Sequence, residues 1–102
     1  MVTDDIRALL AASAPAVSKT FLERVDVTLT DGYAHALQLE GERRRIEQRI
    51  ADLVASAGSD GEQDPELAAL AERLSAANEN IAALRALLRS LRDRRAELRR
   101  AA

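Results

Sequence analysis

The sequence predicts an all-α protein: short N-terminal helices packed at the root of a long antiparallel coiled-coil helical hairpin. Three observations carry that expectation. Phe21 and Tyr33 are the only aromatic residues, so large rings cannot build the core. The apolar content is mostly Ala and Leu, strong helix formers, with few β-branched residues. Apolar residues then recur at spacings of three and four over long stretches, the mark of a heptad seam.

The 102 residues fit a single helical domain spanning 1–102. Thr3 is placed to cap a first short helix, with Asp4 and Asp5 in its first turn, where the helix dipole favours negative charge. That helix is expected to reach about Ala12. Ser13 and Pro15 suit the start of a second helix running to about Arg24. "VDVTLTDG" at 25–32 is β-branched and polar. It reads as a connector, ending in a cap at Thr30 or Asp31, so 1–30 form the root.

A first arm is expected over 31–57, with Ala36, Leu39, Arg43, Ile46, Ile50, Leu53 and Ala57 on its seam. Two glycines in "GSDGEQD" mark a tip loop at 58–64. Asp64 is a cap and Pro65 a first helical residue for the second arm, 65–100. Its seam is Leu67, Leu70, Leu74, Ala77, Ile81, Leu84, Leu88, Leu91, Arg95 and Leu98. Two such helices joined by a short polar loop predict an antiparallel pair. At 1.5 Å per residue the first arm is roughly 38 Å long and the second somewhat longer. The last turns of the second arm should therefore pack beside Phe21, Leu22, Val25 and Leu29.

Charge is uneven along this plan. Residues 52–72 hold Asp52, Asp60, Glu62, Asp64, Glu66 and Glu72 with no base. Residues 85–100 hold seven arginines against Asp93 and Glu97. Arg85, Arg92 and Arg99 repeat every seven residues and Arg89 lies on the same face, a basic stripe roughly 20 Å long. Such a stripe can track phosphates through charge-assisted, often bidentate contacts. Arg43 and Arg44 are further candidates, in a run of three arginines on the first arm. The competing reading is a solvated face, with Glu40–Arg44 and Arg89–Asp93 as i,i+4 pairs and long arginine stems shielding the seam. Arg43 and Arg95 fall on the seam itself, where a polar residue fixes register or marks a frayed end.

The same reading excludes several classes. Absent cysteine removes disulfides and thiolate metal sites. No stretch approaches the ~20 apolar residues of a membrane span, and the acidic start is unlike a secretory leader. A cytoplasmic protein that engages no membrane is expected. His35, the only histidine, has no nucleophile readable around it. "SDGEQDPE" lacks the twelve spaced positions of an EF-hand loop, and no Gly-rich phosphate loop occurs. The expectation is no enzyme, no metal and no cofactor.

"DIRALL" at 5–10, "APAV" at 14–17, "FLERVDVTL" at 21–29 and "LEGERR" at 39–44 together resemble the N-terminal domain of seryl-tRNA synthetase. That domain opens with short helices and projects a long coiled-coil arm. The resemblance implies tRNA or other structured RNA as partner, contacted through its backbone with no catalysis in the arm. The matching positions are Arg43 and Arg44; charge alone adds Arg85, Arg89, Arg92 and Arg99. The chain departs from the family in its acidic tip, in the missing "RAxRN" continuation after "IADL", and in carrying no catalytic domain.

"LTDG" at 29–32 and "GSDGEQDPEL" at 58–67 are loosely similar to the N-terminal hairpin of Gre-type transcript-cleavage factors. That weaker resemblance implies a regulator of the RNA polymerase channel, with Asp60, Glu62 and Asp64 as the working tip. A third expectation is a protein-interaction or homodimerisation module, using Leu87 with Ala83 and Ala76, or Leu37, as a second apolar surface.

Overall fold

A computed structural model describes residues 1–12, 19–57 and 65–101. Three helices account for them: α1, Val2–Ala11; α2, Lys19–Ala57; and α3, Pro65–Ala101. No strand occurs among the described residues, so the protein is all-α. Ser13, Pro15 and the tip at 58–64 lie outside the described residues, including Asp60, Glu62 and Asp64.

α1 starts two residues earlier than expected. Its N-cap is Met1, which offers no side-chain cap, and Thr3 lies inside the helix. The Asp5 amide bonds the Met1 carbonyl at 3.0 Å, and Asp4 and Asp5 occupy the first turn. The helix closes with the Ala12 amide donating to the Ala8 carbonyl. Ile6 and Leu9, three apart, form its buried stripe.

α2 overturns the expected connector. Residues 25–30 are helical, and α2 runs unbroken for 39 residues. The stretch that was to be a second short helix therefore contributes, over 19–24, the start of α2. β-branched residues lower helix propensity by only tenths of a kcal/mol each, and burial of an apolar stripe overrides that. Val25, Leu29, Gly32 and Ala36 are all buried, at the same three-and-four spacing as the rest of the helix. Thr30, which was to cap, instead donates its hydroxyl to the Asp26 carbonyl one turn back, at 3.0 Å. α3 begins at Pro65 as expected, where the missing N–H costs nothing. Each expected seam residue of α2 and α3 whose side chain is described is buried or half-buried.

The chain divides into two compact units. The first comprises Met1–Leu37 and Ala83–Ala102. Nine of the twelve buried apolar residues lie here: Ile6, Leu9, Val25, Leu29, Ala36, Leu84, Leu88, Leu91 and Leu98. Ile6, Val25 and Leu91 are fully buried and Leu88 nearly so. Each contributes about 1.5–3 kcal/mol when removed from water. Val25 and Leu29 thus share a core with Leu91 and Leu98, while Phe21 and Leu22 are half-buried at its edge.

Gly32 is the tightest point of this unit. A Cβ placed there would stand 2.5 Å from Leu88 Cδ2 and 3.4 Å from Ile6 Cδ1. α1, α2 and α3 therefore converge on one backbone position. In the same unit, Asp26 on α2 accepts a hydrogen bond from Arg95 on α3.

The second unit is Gln38–Ala82. Its buried apolar residues are Ile46, Leu70 and Ile81, flanked by half-buried Leu39, Ile50, Leu53, Leu67, Leu74 and Ala77. Polar contacts also join α2 to α3 within it. Arg43 Nη1 donates to Asn78 Oδ1 at 3.4 Å, and Arg49 Nη2 meets Glu66 Oε1 at 2.9 Å.

Two outcomes follow from this packing. Gly32→Ala gains helix propensity but sets a methyl 2.5 Å from Leu88 Cδ2, so a well-packed, nearly inaccessible side chain must shift. Overpacking of about 1–3 kcal/mol outweighs a gain of about 1 kcal/mol, so stability falls. Gly41→Ala meets only Arg45 Nη1, at 3.9 Å, and stability rises by about 0.5–1 kcal/mol. Urea unfolding of both variants checks the opposite signs. Amide hydrogen exchange should also be slower over residues 84–98, which line the larger core, than over 42–54 and 67–78.

Candidate nucleic-acid interface

The stripe on α3 is brought together as its spacing requires. Arg85, Arg89 and Arg92 sit at i, i+4 and i+7 and are all exposed. With Tyr33 of α2 and Leu88 they line a shallow hollow of about 220 Å³ in the first unit. Leu88 is almost inaccessible and forms the floor; the arginines form the rim. Tyr33 keeps 39% of its surface exposed, and its hydroxyl makes no hydrogen bond among the described residues. Arg89 and Arg92 form no ion pair among the described residues, so the expected Arg89–Asp93 pair is not made. Their charge therefore faces solvent.

Arg99 is exposed one heptad beyond Arg92 but does not line the hollow. Two other arginines of this stretch are spent internally. Arg94 Nη1 pairs with Glu97 Oε2 at 3.6 Å, and Arg95 is held by Asp26. Arg95 is therefore a cross-helix tie rather than a frayed end.

Arg43 and Arg44 are in the second unit and part company there. Arg44 is exposed. Arg43 is half-buried, bonded to Asn78, with its Nε 3.7 Å from Glu47 Oε1. That Nε is buried and makes no hydrogen bond. Arg43 is thus a half-buried seam residue already engaged by two exposed polar side chains. Glu47 is an acid one turn from Arg43 that pairs with it.

A second basic groove was not foreseen from the sequence. Arg45, Arg49 and Arg73 border an open cleft of about 620 Å³ floored by Ile46, Leu70 and Ala77. Glu42 stands on its edge and Glu66 neutralises Arg49, so its free positive charge is smaller than the arginine count suggests. The signal was available: Arg45 and Arg49 are an i,i+4 pair on one helix face.

His35 lies mid-helix rather than at a helix start. It borders a hollow with Met1, Val2, Thr3 and Asp4. No group of three or more His, Cys, Asp or Glu that could hold a metal occurs among the described residues. No described helix is long and apolar enough to cross a membrane. Among apolar side chains, Leu37 and Val54 are exposed, at 65% and 54%, while Leu87 is half-buried. Comparison with protein-family models, curated proteins and solved structures finds no match to this chain.

The placement of Arg43 has a measurable outcome. A charged residue on a seam costs stability relative to a packed apolar one. Arg43→Leu should raise stability by about 1 kcal/mol, a rise in Tm of roughly 4–8 °C. Thermal melts followed by circular dichroism check it; a lower Tm would mean that the Asn78 and Glu47 contacts outweigh the cost.

Proposed function

We propose that this chain is a non-catalytic binding module that grips structured RNA, of the kind a tRNA presents, through the arginine face of α3. The carrying observation is the convergence of Arg85, Arg89 and Arg92 around one hollow, with Arg89 and Arg92 unpaired among the described residues. Guanidinium groups at this spacing suit a phosphate backbone, which they meet through charge-assisted forks. The resemblance to the seryl-tRNA synthetase arm points to the same partner class. Arg99 extends the face, and Arg44 is an exposed addition in the second unit. Arg43 contributes to packing instead.

The scaffold proposed for this role is an antiparallel helical hairpin. In the first unit Asp26 pairs with Arg95 and Gly32 meets Leu88. In the second, Arg43 reaches Asn78 and Arg49 reaches Glu66. Within each unit the α3 number falls as the α2 number rises, which supports opposed helix directions.

The test is fluorescence anisotropy of labelled tRNA titrated with the protein at several salt concentrations. Binding should weaken steeply with salt, at about 0.7–0.9 of a log unit per phosphate contacted. Neutralising three contacts, in Arg85→Gln/Arg89→Gln/Arg92→Gln, should flatten the slope by about 2–3 and weaken binding at low salt. Absence of binding at low salt would sink this reading. It would turn attention to a protein partner or a second copy of the chain, for which exposed Leu37 and Val54 are the starting points.

A further inference from the structure

Tyr33 is out of keeping with its surroundings. It is one of two aromatic residues in the chain, yet it sits in the open rather than in the core. Its neighbours in the hollow are three arginines and one leucine. The floor is apolar, the rim is cationic, and the ring borders the hollow with no hydrogen bond for its hydroxyl among the described residues.

A bare phosphate would need only the rim. The apolar floor and the phenol add what a flat π-system needs, a surface to stack on with water displaced. An unpaired nucleotide supplies both halves, a ring and a phosphate on each side of it. We infer that the Tyr33 hollow takes an unpaired base of the RNA, stacked on the phenol over Leu88, while Arg89 and Arg92 hold the flanking phosphates. This rests on the RNA reading above and names the RNA feature recognised. A continuous A-form duplex keeps its bases stacked on one another and offers its backbone and 2′-hydroxyls instead. Such a duplex reaches the rim but cannot fill the hollow. The site therefore distinguishes a bulge or loop from a paired stem without reading base identity, since every base has a stacking face.

The test uses two labelled RNA stem-loops of equal length, one fully paired in its stem and one with a single bulged nucleotide. Both are titrated with the native chain, Tyr33→Phe, Tyr33→Leu and the triple glutamine variant. The native chain and Tyr33→Phe should prefer the bulged RNA by about tenfold, the value of one aromatic stack. Tyr33→Leu should lose that preference, with affinity for the paired stem and the salt slope both unchanged. The triple variant should lose affinity for both RNAs. Equal affinity of the native chain for both RNAs, or an equal loss on both in Tyr33→Leu, overturns the inference while the RNA reading stands. Failure of every form to bind either RNA overturns both. A change of oligomeric state in Tyr33→Leu, read by sedimentation, would assign Tyr33 to a contact between copies and also overturn it.

Discussion

The close approach at Gly32 is the constraint on which the first unit depends. A helix interior normally excludes glycine, because its backbone loses more freedom and contributes no side chain. Here the missing side chain lets Leu88 and Ile6 close over the α2 backbone. The cost to α2 of roughly 1 kcal/mol is offset by burial of two large apolar side chains. Buried Ala36, one turn on, continues the same slim face. The contact also fixes position along the helix. With Gly32 against Leu88, the next residue of α2 is Tyr33, and the residues around Leu88 are Arg85, Arg89 and Arg92. The packing that closes the core is thus what sets an aromatic ring among three guanidinium groups.

Much of this was legible in the residues. The seam of α3 could be read position by position, because Leu and Ile at strict spacing leave no rival pattern. Burial follows it from Leu67 to Leu98. The start of α2 was misread. "VDVTLTDG" combines β-branched residues, a glycine and a cap-like Asp, and local propensity favours a connector. The stronger signal was periodic: Leu22, Val25, Leu29, Gly32 and Ala36 continue the seam backwards without a break. A glycine and an alanine carry little hydropathy, so the seam is faint where the helices come closest. Thr3 failed as a cap for a related reason, since the first turn forms around Met1 without side-chain help.

The candidate site divides along the same line. The arginine stripe could be drawn from spacing on one helix, and the structure brings three of its members to one hollow. Their aromatic neighbour could not, because Tyr33 is more than fifty residues away in sequence and its placement needs the pairing of α2 with α3. The same is true of Arg95, whose partner Asp26 is 69 residues distant. Seam position alone does not give the partners of Arg43 and Arg95; each reaches across to the other helix, Arg43 to Asn78 and Arg95 to Asp26.

The chain's net charge of −2 conceals a choice of cation at the hollow. The rim is built from guanidinium alone; the single lysine is Lys19, at the start of α2, and the single histidine borders a different hollow. Guanidinium keeps its proton at any pH a cell reaches, and it is not a substrate for acetylation as an ammonium is. The charge of this face is therefore constant. Neither acidification nor lysine acetylation lowers it. Were the face to hold an anionic partner as proposed, release would have to come from competing ions, from a competing polyanion, or from a change in the partner itself.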